Sequence, residues 1–158
     1  MKTLFTIGFT KKTAEQFFNL LYSKHVRRLI DVRLSNNTQL AGFAKGCDLK
    51  FFLETFYGIT YIHDLIFAPT TSLFDRYRAK KISWAEYADE FDAIMDERDA
   101  VEHIKNLGYD IDRACLLCSE ESARNCHRRL VAELIKDTLD DVEIIHLGDP
   151  LWKEILLF

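Results

Sequence analysis

The chain has 158 residues, of which 48 % are hydrophobic and 29 % are charged, and its formal net charge at pH 7 is −4. A chain of this length is expected to form a single domain over residues 1–158, and its composition excludes disordered and fibrous proteins. The acidic balance argues against a general DNA-coating role, which needs a strongly basic face, but it does not exclude nucleic acid as a partner.

Cysteine usage and hydropathy indicate where the protein works. The four cysteines are too few for a disulfide-stabilised scaffold, and the first residues contain no recognisable export signal. No segment approaches the roughly 18 consecutive apolar residues that a membrane-spanning helix needs. We therefore expect free thiols, a cytoplasmic location and no membrane partner, and the sequence does not indicate an oligomeric state.

Short apolar runs alternate with helical periodicity along the whole chain. In chain order, the predicted elements begin with a strand at 3–9, a helix at 13–24, a strand at 28–34, a helix at 48–58 and a strand at 59–65. A long helical insertion over 72–81 and 83–108 comes next, followed by a strand at 112–119, a helix at 123–139, a strand at 142–148 and a terminal helical turn.

Capping residues support several of these helix boundaries. Thr13 and Ser83 each open a helix as part of a capping box, in which a glutamine or glutamate three residues later reaches back to the backbone. Asp48 is expected to cap the second helix, and Gly58 is expected to end it. The second part of the insertion is either one long helix or two helices that meet near residues 96–99.

The alternation of strand and helix predicts a parallel sheet covered by helices on both faces. The expected fold is α/β and three-layered, with an open, mostly parallel, five-stranded sheet of the doubly wound, Rossmann-like type and extra helices between the third and fourth strands. Five strands are too few for a (β/α)₈ barrel. Ligands of doubly wound sheets bind beyond the carboxyl ends of the strands, and this rule selects residues 8–12, 31–37 and 118–128.

The segment 113–134 contains three of the four cysteines, and its composition first suggests a metal site. Cys115, Cys118, Cys126 and His127 would together supply four zinc ligands. Residues three apart in a strand point to opposite faces of a sheet, however, so Cys115 and Cys118 could not share one ion. The chain also lacks the glycine-rich motifs that bind nucleoside triphosphates and dinucleotides. We therefore expect neither a metal nor another cofactor.

The start of the last long helix brings reactive side chains to the end of the fourth strand. Cys126 and His127 each precede an apolar helix position by one turn, so both should face the sheet beside Cys118. The helix N-terminus and Arg128 would stabilise a thiolate or hold an anion. Glu120 would act as an acid, a base or a hydrogen-bond acceptor. Ordinary packing in the core is the alternative for the thiols and the histidine.

The ends of the first two predicted strands carry further candidates. Asp31 and Arg33 share one face of the second strand, where they form either an ion pair at the sheet edge or a site in which Arg33 binds an anion. Gly8 follows the first strand where the backbone must approach a neighbour closely, and Thr10 lies beside it. The basic residues near this edge favour a small anionic or nucleotide-like ligand.

Three motifs together resemble the family called domain of unknown function 488. They are T-I-G at 6–8, D-V-R at 31–33 and C-x-E-x5-C-H-R at 118–128. The resemblance extends over nearly the whole chain and implies a three-layer α/β domain with no established reaction. Phe9 and Thr10 replace the histidine and serine that usually follow the glycine, and the proline that usually follows D-V-R is missing.

The leading functional prediction is an enzyme, or a protein descended from one, that acts on a small anionic or nucleotide-like substrate by an unassigned reaction. The predicted catalytic residues are Cys118, Glu120, Cys126 and His127, and the predicted substrate-binding residues are Gly8, Thr10, Asp31, Arg33 and Arg128. One alternative is a non-catalytic module that binds nucleic acid or protein through the basic and aromatic residues at 76–81. A second alternative is a thiol redox sensor in which Cys118 and Cys126 form a reversible disulfide.

Overall fold

The structure, a computed structural model, describes residues 1–37 and 41–151. Its strands are β1, Lys2–Gly8; β2, Arg28–Asp31; β3, Thr60–His63; β4, Ala114–Cys118; and β5, Val142–Leu147. Its α-helices are α1, Ala14–Ser23; α2, Gly46–Phe52; α3, Thr71–Arg78; α4, Trp84–Glu97; α5, Ala100–Lys105; and α6, His127–Thr138. None of these helices is both long and apolar enough to span a membrane. Part of the predicted polar loop, at 38–40, and the predicted terminal turn beyond 151 lie outside the described residues.

The five strands are all parallel and lie in the order β3-β2-β4-β1-β5. Helices α1 and α2 pack on one face of the sheet and α3 to α6 pack on the other, which confirms the predicted doubly wound α/β fold. Although β1 and β4 are neighbours, the chain leaves β1 towards one face and leaves β4 towards the other. This divergence opens a crevice at their carboxyl ends, where Gly8 and Cys118 stand side by side in register.

Side-chain alternation along β4 separates its two cysteines, as predicted. Cys118 packs with Leu116 in the core beneath α6. Cys115 packs with Phe5 in the core beneath α1 and α2, and it is fully buried there. The two thiols of this C-x-x-C pair therefore lie on opposite sides of the sheet.

Helix α2 starts earlier than predicted, and the prediction that Asp48 caps it is wrong. Lys45 occupies the N-cap position, and the backbone N–H of Gly46 donates to the carbonyl of Asn36 over 2.6 Å, so the preceding loop sets where the helix begins. Asp48 lies within the first turn, where its carboxylate still complements the helix dipole. Gly58 ends the helical segment with a φ of 66°, as predicted, in the left-handed conformation that glycine readily adopts.

Helix α6 starts at His127, four residues later than predicted, because Asp149 holds the preceding segment as a loop. One carboxylate oxygen of Asp149 accepts hydrogen bonds from the backbone N–H of Ala123 at 2.7 Å and from the hydroxyl of Ser122 at 3.2 Å. Cys126 consequently occupies the N-cap position of α6. Its thiol lies at the junction between the loop and the helix rather than within the first turn.

The insertion between β3 and β4 folds as α3, α4 and α5 over the sheet face that α6 also covers. Ser83 caps α4 as predicted, accepting from the backbone N–H of Glu86 at 3.1 Å. The chain then turns at Asp99, which has a φ of 53°, so the two-helix prediction is confirmed. The guanidinium of Arg98 at this turn donates to three backbone carbonyls between residues 65 and 68, which fixes the end of α4 near β3.

Candidate functional site

Two thiols and an imidazole converge at the carboxyl end of β4. Cys118 ends that strand, Cys126 caps α6 and His127 is the first residue of the helix. Each residue is less than 10 % exposed, and the sulfur atoms and a ring nitrogen all lie within 4.8 Å of one another. The structure therefore brings together three of the four predicted catalytic residues.

The orientation of the His127 ring is set by the backbone of the neighbouring strand segment. Its Nε2 lies 2.7 Å from the carbonyl oxygen of Val32, which can only accept, so this nitrogen carries the hydrogen. Its Nδ1 is thereby directed at the Cys118 sulfur, 3.7 Å away. The ring also contacts Phe91 of α4, with 5.7 Å between centroids. His127 can thus exchange a proton with Cys118 while its ring stays fixed.

The surroundings of the two thiols favour different protonation states. A hydrogen bond from Cys126, followed by the charges of His127 and Arg128, holds the pKa of Cys118 well below its ordinary value despite burial. Burial and the charge on Cys118 raise the pKa of Cys126. Burial alone would lower the pKa of His127, but the Cys118 thiolate and the bond to Val32 raise it. Cys118 is therefore the more acidic of the two thiols, and His127 holds its proton more readily than burial alone would allow.

Glu120 lies two residues beyond Cys118, at the mouth of the same site. Its residue surface is exposed, yet partial removal of its carboxyl group from water raises its pKa, and the Cys118 thiolate raises it further. Arg128 and His127 act in the opposite direction. A carboxyl group with a raised pKa holds its proton closer to neutral pH, so Glu120 is suited to proton donation and return.

Arg128 shapes the loop that carries Glu120. Its side chain has no exposed surface, and its Nη atoms donate to the carbonyls of Glu120 at 2.5 Å and Glu121 at 3.3 Å. Its Nε donates to the Thr6 hydroxyl at 3.3 Å, and an Nη donates to the Cys126 sulfur at 3.8 Å. Arg128 thus folds the loop around a buried positive charge beneath the thiols. Its predicted contact with an anionic ligand stays a prediction.

Gly8 lies directly beneath the same loop. A Cβ atom at this position would lie 1.7 Å from the carbonyl oxygen of Glu120, which is far inside contact distance. The close backbone approach predicted at Gly8 is therefore made to the protein's own loop. Thr10 is exposed, and its backbone N–H donates to the carbonyl of Ser119 at 3.1 Å. The ligand contacts predicted for Gly8 and Thr10 stay predictions.

The structure places Asp31 and Arg33 on the other side of the sheet from the thiols. Their side chains form a buried two-bond ion pair, with N···O distances of 2.8 and 2.7 Å. Tyr61 donates to the same carboxylate at 2.6 Å, and the guanidinium lies over the Phe9 ring. The ion pair that the sequence gives as one interpretation is therefore present, and the predicted ligand contacts of Asp31 and Arg33 stay predictions.

A cavity of about 540 Å³ opens above the thiol pair. Cys118, Glu120, Cys126 and His127 line one side of it. The rest of the lining includes four rings from the insertion, which we call the aromatic wall: Phe74, Tyr77, Trp84 and Tyr87. Arg78 and Lys80 also line the cavity, and both are exposed, which places them at its rim. A cavity with flat apolar sides and a few polar groups at one end is the usual form of a small-molecule site.

The sequence indicates the aromatic wall only in part: Tyr77 belongs to the segment 76–81 named for the binding-module alternative, whereas the other three rings were not singled out. Trp84 and Tyr87 stack at 5.3 Å between centroids with 17° between planes, and Tyr77 contacts Tyr87 at 4.9 Å. Phe91 continues the same aromatic stripe of α4 towards His127. This stripe is visible in the sequence as an i, i+3, i+7 pattern, but such a pattern is typical of a core. The packing of α3 and α4 determines that part of this aromatic stripe faces a cavity.

The same geometry revises the interpretation of metal-binding potential. The four-ligand set considered from the sequence is not brought together, because Cys115 lies on the opposite face of the sheet. Within the described residues, the groups able to surround one ion are Cys118, Cys126 and His127. This three-residue set differs from the four-ligand set that the sequence suggests.

A comparison with protein families identifies the chain. The family model described as domain of unknown function DUF488 matches residues 13–135. The chain belongs to the DUF488 family. No curated protein and no solved structure shows a significant match to it.

The DUF488 match covers most, but not all, of the elements around the site. It includes the D-V-R residues at 31–33, the insertion and the complete C-x-E-x5-C-H-R motif at 118–128. It starts after β1, so Gly8 lies outside the matched residues, and it ends before β5. The thiol pair, His127 and the aromatic wall therefore all lie inside the DUF488 region.

Proposed function

We propose that this protein is an enzyme that acts on a small, nucleotide-like anionic substrate, with Cys118 as its nucleophile. The observation that carries the proposal is the position of the Cys118 sulfur, 3.7 Å from the Nδ1 of a fixed histidine and at the base of an aromatic cavity. A thiol paired with an oriented imidazole is a recurrent arrangement for covalent catalysis.

The neighbouring groups have complementary roles in this scheme. The Cys118 thiolate forms a bond to an electrophilic atom of the substrate while the bond to a leaving group breaks. Glu120 supplies the proton that the leaving group takes, and His127 holds the charge of the thiolate before attack. Arg128 keeps the loop that carries Glu120 in place through the two carbonyl contacts at 2.5 and 3.3 Å.

The substrate class follows from the two ends of the cavity. The aromatic wall offers flat rings against which a heterocyclic base can stack. Arg78 and Lys80 stand at the rim, where an anionic group such as a phosphate would be attracted. A mononucleotide-like ligand fits both features. The alternative of a binding module uses the same cavity without the thiol step.

The reactivity of Cys118 tests the proposal. We expect iodoacetamide to alkylate Cys118 with a pH midpoint below that of the exposed Cys47, because the thiolate is the reacting species. Cys115, on the far face, serves as an unreactive internal reference. In the His127→Gln variant the Cys118 midpoint should move to higher pH. Peptide mass spectrometry after alkylation at each pH gives all the values in one experiment.

The same assay tests the substrate class. Mononucleotides added before alkylation should protect Cys118, and the protection should weaken in Trp84→Ala. It should also weaken in Arg78→Ala at low salt and in the wild type at raised salt, because salt screens the charge of Arg78. If the pH midpoint of Cys118 alkylation is not lower than that of Cys47, the nucleophile role is contradicted. Protection of Cys118 in Trp84→Ala equal to that in the wild type would contradict the assigned ligand position.

A redox sensor is the second candidate, and the contact between the Cys118 and Cys126 sulfurs favours it. Peroxide would oxidise the Cys118 thiolate to a sulfenic acid, and attack by Cys126 would release water and form a disulfide. In the mass-spectrometric assay this function appears as a linked Cys118–Cys126 peptide pair after mild peroxide treatment, which a purely nucleophilic Cys118 does not give.

A further inference from the structure

The thiol pair and His127 have the composition of a metal site with one open coordination position. We infer that Cys118, Cys126 and His127 bind one Zn²⁺ ion, and that the bound ion blocks the nucleophile. The first part stands on the geometry of the three residues. The second part rests on the proposed function, because it concerns the reactivity of Cys118.

The separations of the ligand atoms suit a tetrahedral zinc ion. Zinc binds thiolates at about 2.3 Å and imidazoles at about 2.0–2.1 Å, so two ligand atoms in a tetrahedral site lie roughly 3.5–3.8 Å apart. The Cys118 sulfur is 3.7 Å from the Nδ1 of His127, and all three ligand atoms lie within 4.8 Å of one another. An ion can therefore be accommodated with small side-chain movements.

The groups behind the ligands are those that metal sites in proteins usually have. A histidine that binds a metal through one nitrogen almost always donates the other N–H to a carbonyl or carboxylate. The Nε2 of His127 does this to the carbonyl of Val32 at 2.7 Å, and so leaves Nδ1 to face the sulfurs. The guanidinium of Arg128 donates to the Cys126 sulfur at 3.8 Å, which would stabilise a second thiolate.

The ligand set can balance the charge of the ion. Zinc binds cysteines as thiolates and histidine as a neutral imidazole, so Cys118 and Cys126 would offset the two positive charges of Zn²⁺. The large desolvation cost of an uncompensated buried ion is thereby avoided.

The open position of the ion would face the cavity. Cys118, Cys126 and His127 line one side of that cavity, so a fourth ligand, water or a donor atom of a bound molecule, would enter from there. With the metal bound, the Cys118 sulfur donates one lone pair to the ion, and its negative charge is largely neutralised, so it should attack a substrate much more slowly. Zinc and a covalent adduct on Cys118 should therefore exclude one another.

Cobalt substitution provides a direct test of the metal site. Reduced, chelator-treated protein titrated with Co²⁺ should develop one equivalent of thiolate-to-cobalt absorption together with tetrahedral ligand-field bands, and Zn²⁺ should abolish both. Cys126→Ser should weaken Zn²⁺ binding by more than about 100-fold, because loss of an outer-shell contact alone typically costs 10–100-fold. Cys115→Ser, the matched control on the far face, should bind as the wild type does. Circular dichroism checks that both variants are folded.

Alkylation of Cys118 with and without one equivalent of Zn²⁺ tests the block. We expect the rate to fall in proportion to zinc occupancy while that of Cys47 is unchanged. Absence of the cobalt bands, or the same bands in folded Cys126→Ser, overturns the metal site, and a reactive metal-free Cys118 would then leave the proposed function standing. Cobalt bands with a Cys118 that no pH makes reactive would overturn the proposed function and the block but retain the metal site. If Cys118 is alkylated at an undiminished rate when the site is fully occupied by Zn²⁺, the inference that zinc blocks the nucleophile is overturned, but the metal site is retained.

Discussion

Arg128 is a charged residue in a position where charge is costly. Its side chain has no exposed surface, and within the described part of the chain no carboxylate forms an ion pair with it. Hydrogen bonds to two carbonyls, a hydroxyl and a sulfur satisfy its donors, but they do not neutralise the charge. The charge of Arg128 acts in turn on Cys118, whose pKa is lowered first by the Cys126 hydrogen bond, then by His127 and also by Arg128.

Gly8 is the residue at which a single added carbon should be most damaging. We expect Gly8→Ala to lower the free energy of unfolding by about 1–3 kcal/mol or more, because the new Cβ would overlap the carbonyl oxygen of Glu120. The loop that carries Glu120 must move away, so the pH midpoint of Cys118 alkylation should shift as well. Urea unfolding and the alkylation assay measure the two effects.

Gly42→Ala is the matched control, because a Cβ there meets no atom within 4 Å and the residue lies in a helical turn. Its stability should stay within about 0.5 kcal/mol of the wild type, as is usual for surface substitutions. If Gly8→Ala were as stable as Gly42→Ala, the close packing of β1 against the loop would be refuted.

Helix α3 contributes Phe74 and Tyr77 to the aromatic wall, and its position depends on its first turn. The Thr70 hydroxyl caps the helix by accepting from the backbone N–H of Leu73 at 3.2 Å. Thr70→Ala should lower the free energy of unfolding by about 1 kcal/mol through loss of this cap. It should also weaken nucleotide protection of Cys118, since fraying of α3 displaces the wall.

Thr71→Ala deletes the same atoms one position further along, at an exposed residue inside the helix. Alanine is the stronger helix former, so this variant should be as stable as the wild type or slightly more so. Thermal or urea unfolding measures the free energy of unfolding of both variants. If Thr70→Ala and Thr71→Ala lower it equally, the Thr70 cap does not stabilise α3.

The sequence predicts the elements better than their ends. Periodicity identifies every strand and separates Cys115 from Cys118, because alternation in a strand is a local property. The start of α6 was misplaced because Asp149, which holds the loop before it, lies more than 20 residues away in the chain. The entry of α2 depends in the same way on the Asn36 carbonyl. Contacts between distant segments decide these boundaries.

The whole molecule follows from the alternation of strands and helices, except for the packing of the insertion. The alternation fixes a doubly wound sheet, and the carboxyl-edge rule then selects the end of β4 for the site. Neither the alternation nor the carboxyl-edge rule predicts that α3 and α4 cover that edge. The thiol pair with His127 could thus be predicted from sequence, whereas the aromatic wall and the position of Asp31 on the opposite face required the tertiary structure.

The stability of the molecule should depend on pH through His146 of β5. Burial and then the charge of Arg128 lower the pKa of His146 from 6.5 to about 4, with Arg129 acting in the same direction and Asp149 against it. Above pH 6.5 the ring is neutral in both states. As the pH falls from 6.5 towards 4, the unfolded chain takes up a proton that the folded chain does not, so the free energy of unfolding decreases.

Substitution isolates this contribution. His146→Gln should flatten the profile of unfolding free energy between pH 6.5 and 4 relative to the wild type. His25→Gln is the control, because that residue is exposed, and its profile should follow that of the wild type. Urea unfolding at a series of pH values gives both profiles, and parallel curves for His146→Gln and the wild type would refute the assignment.

The cavity is assembled from two separate stretches of one chain. Residues 118–127 supply the thiols and the histidine, whereas residues 74–87 supply the rings and the rim charges. Under the proposed function, separate stretches therefore encode the reaction and the selectivity, and a change in one need not disturb the other. Members of the family that keep the first stretch and diversify the second would share a chemical step while accepting different molecules. Exchange of the insertion between two such proteins offers a direct route to altered specificity.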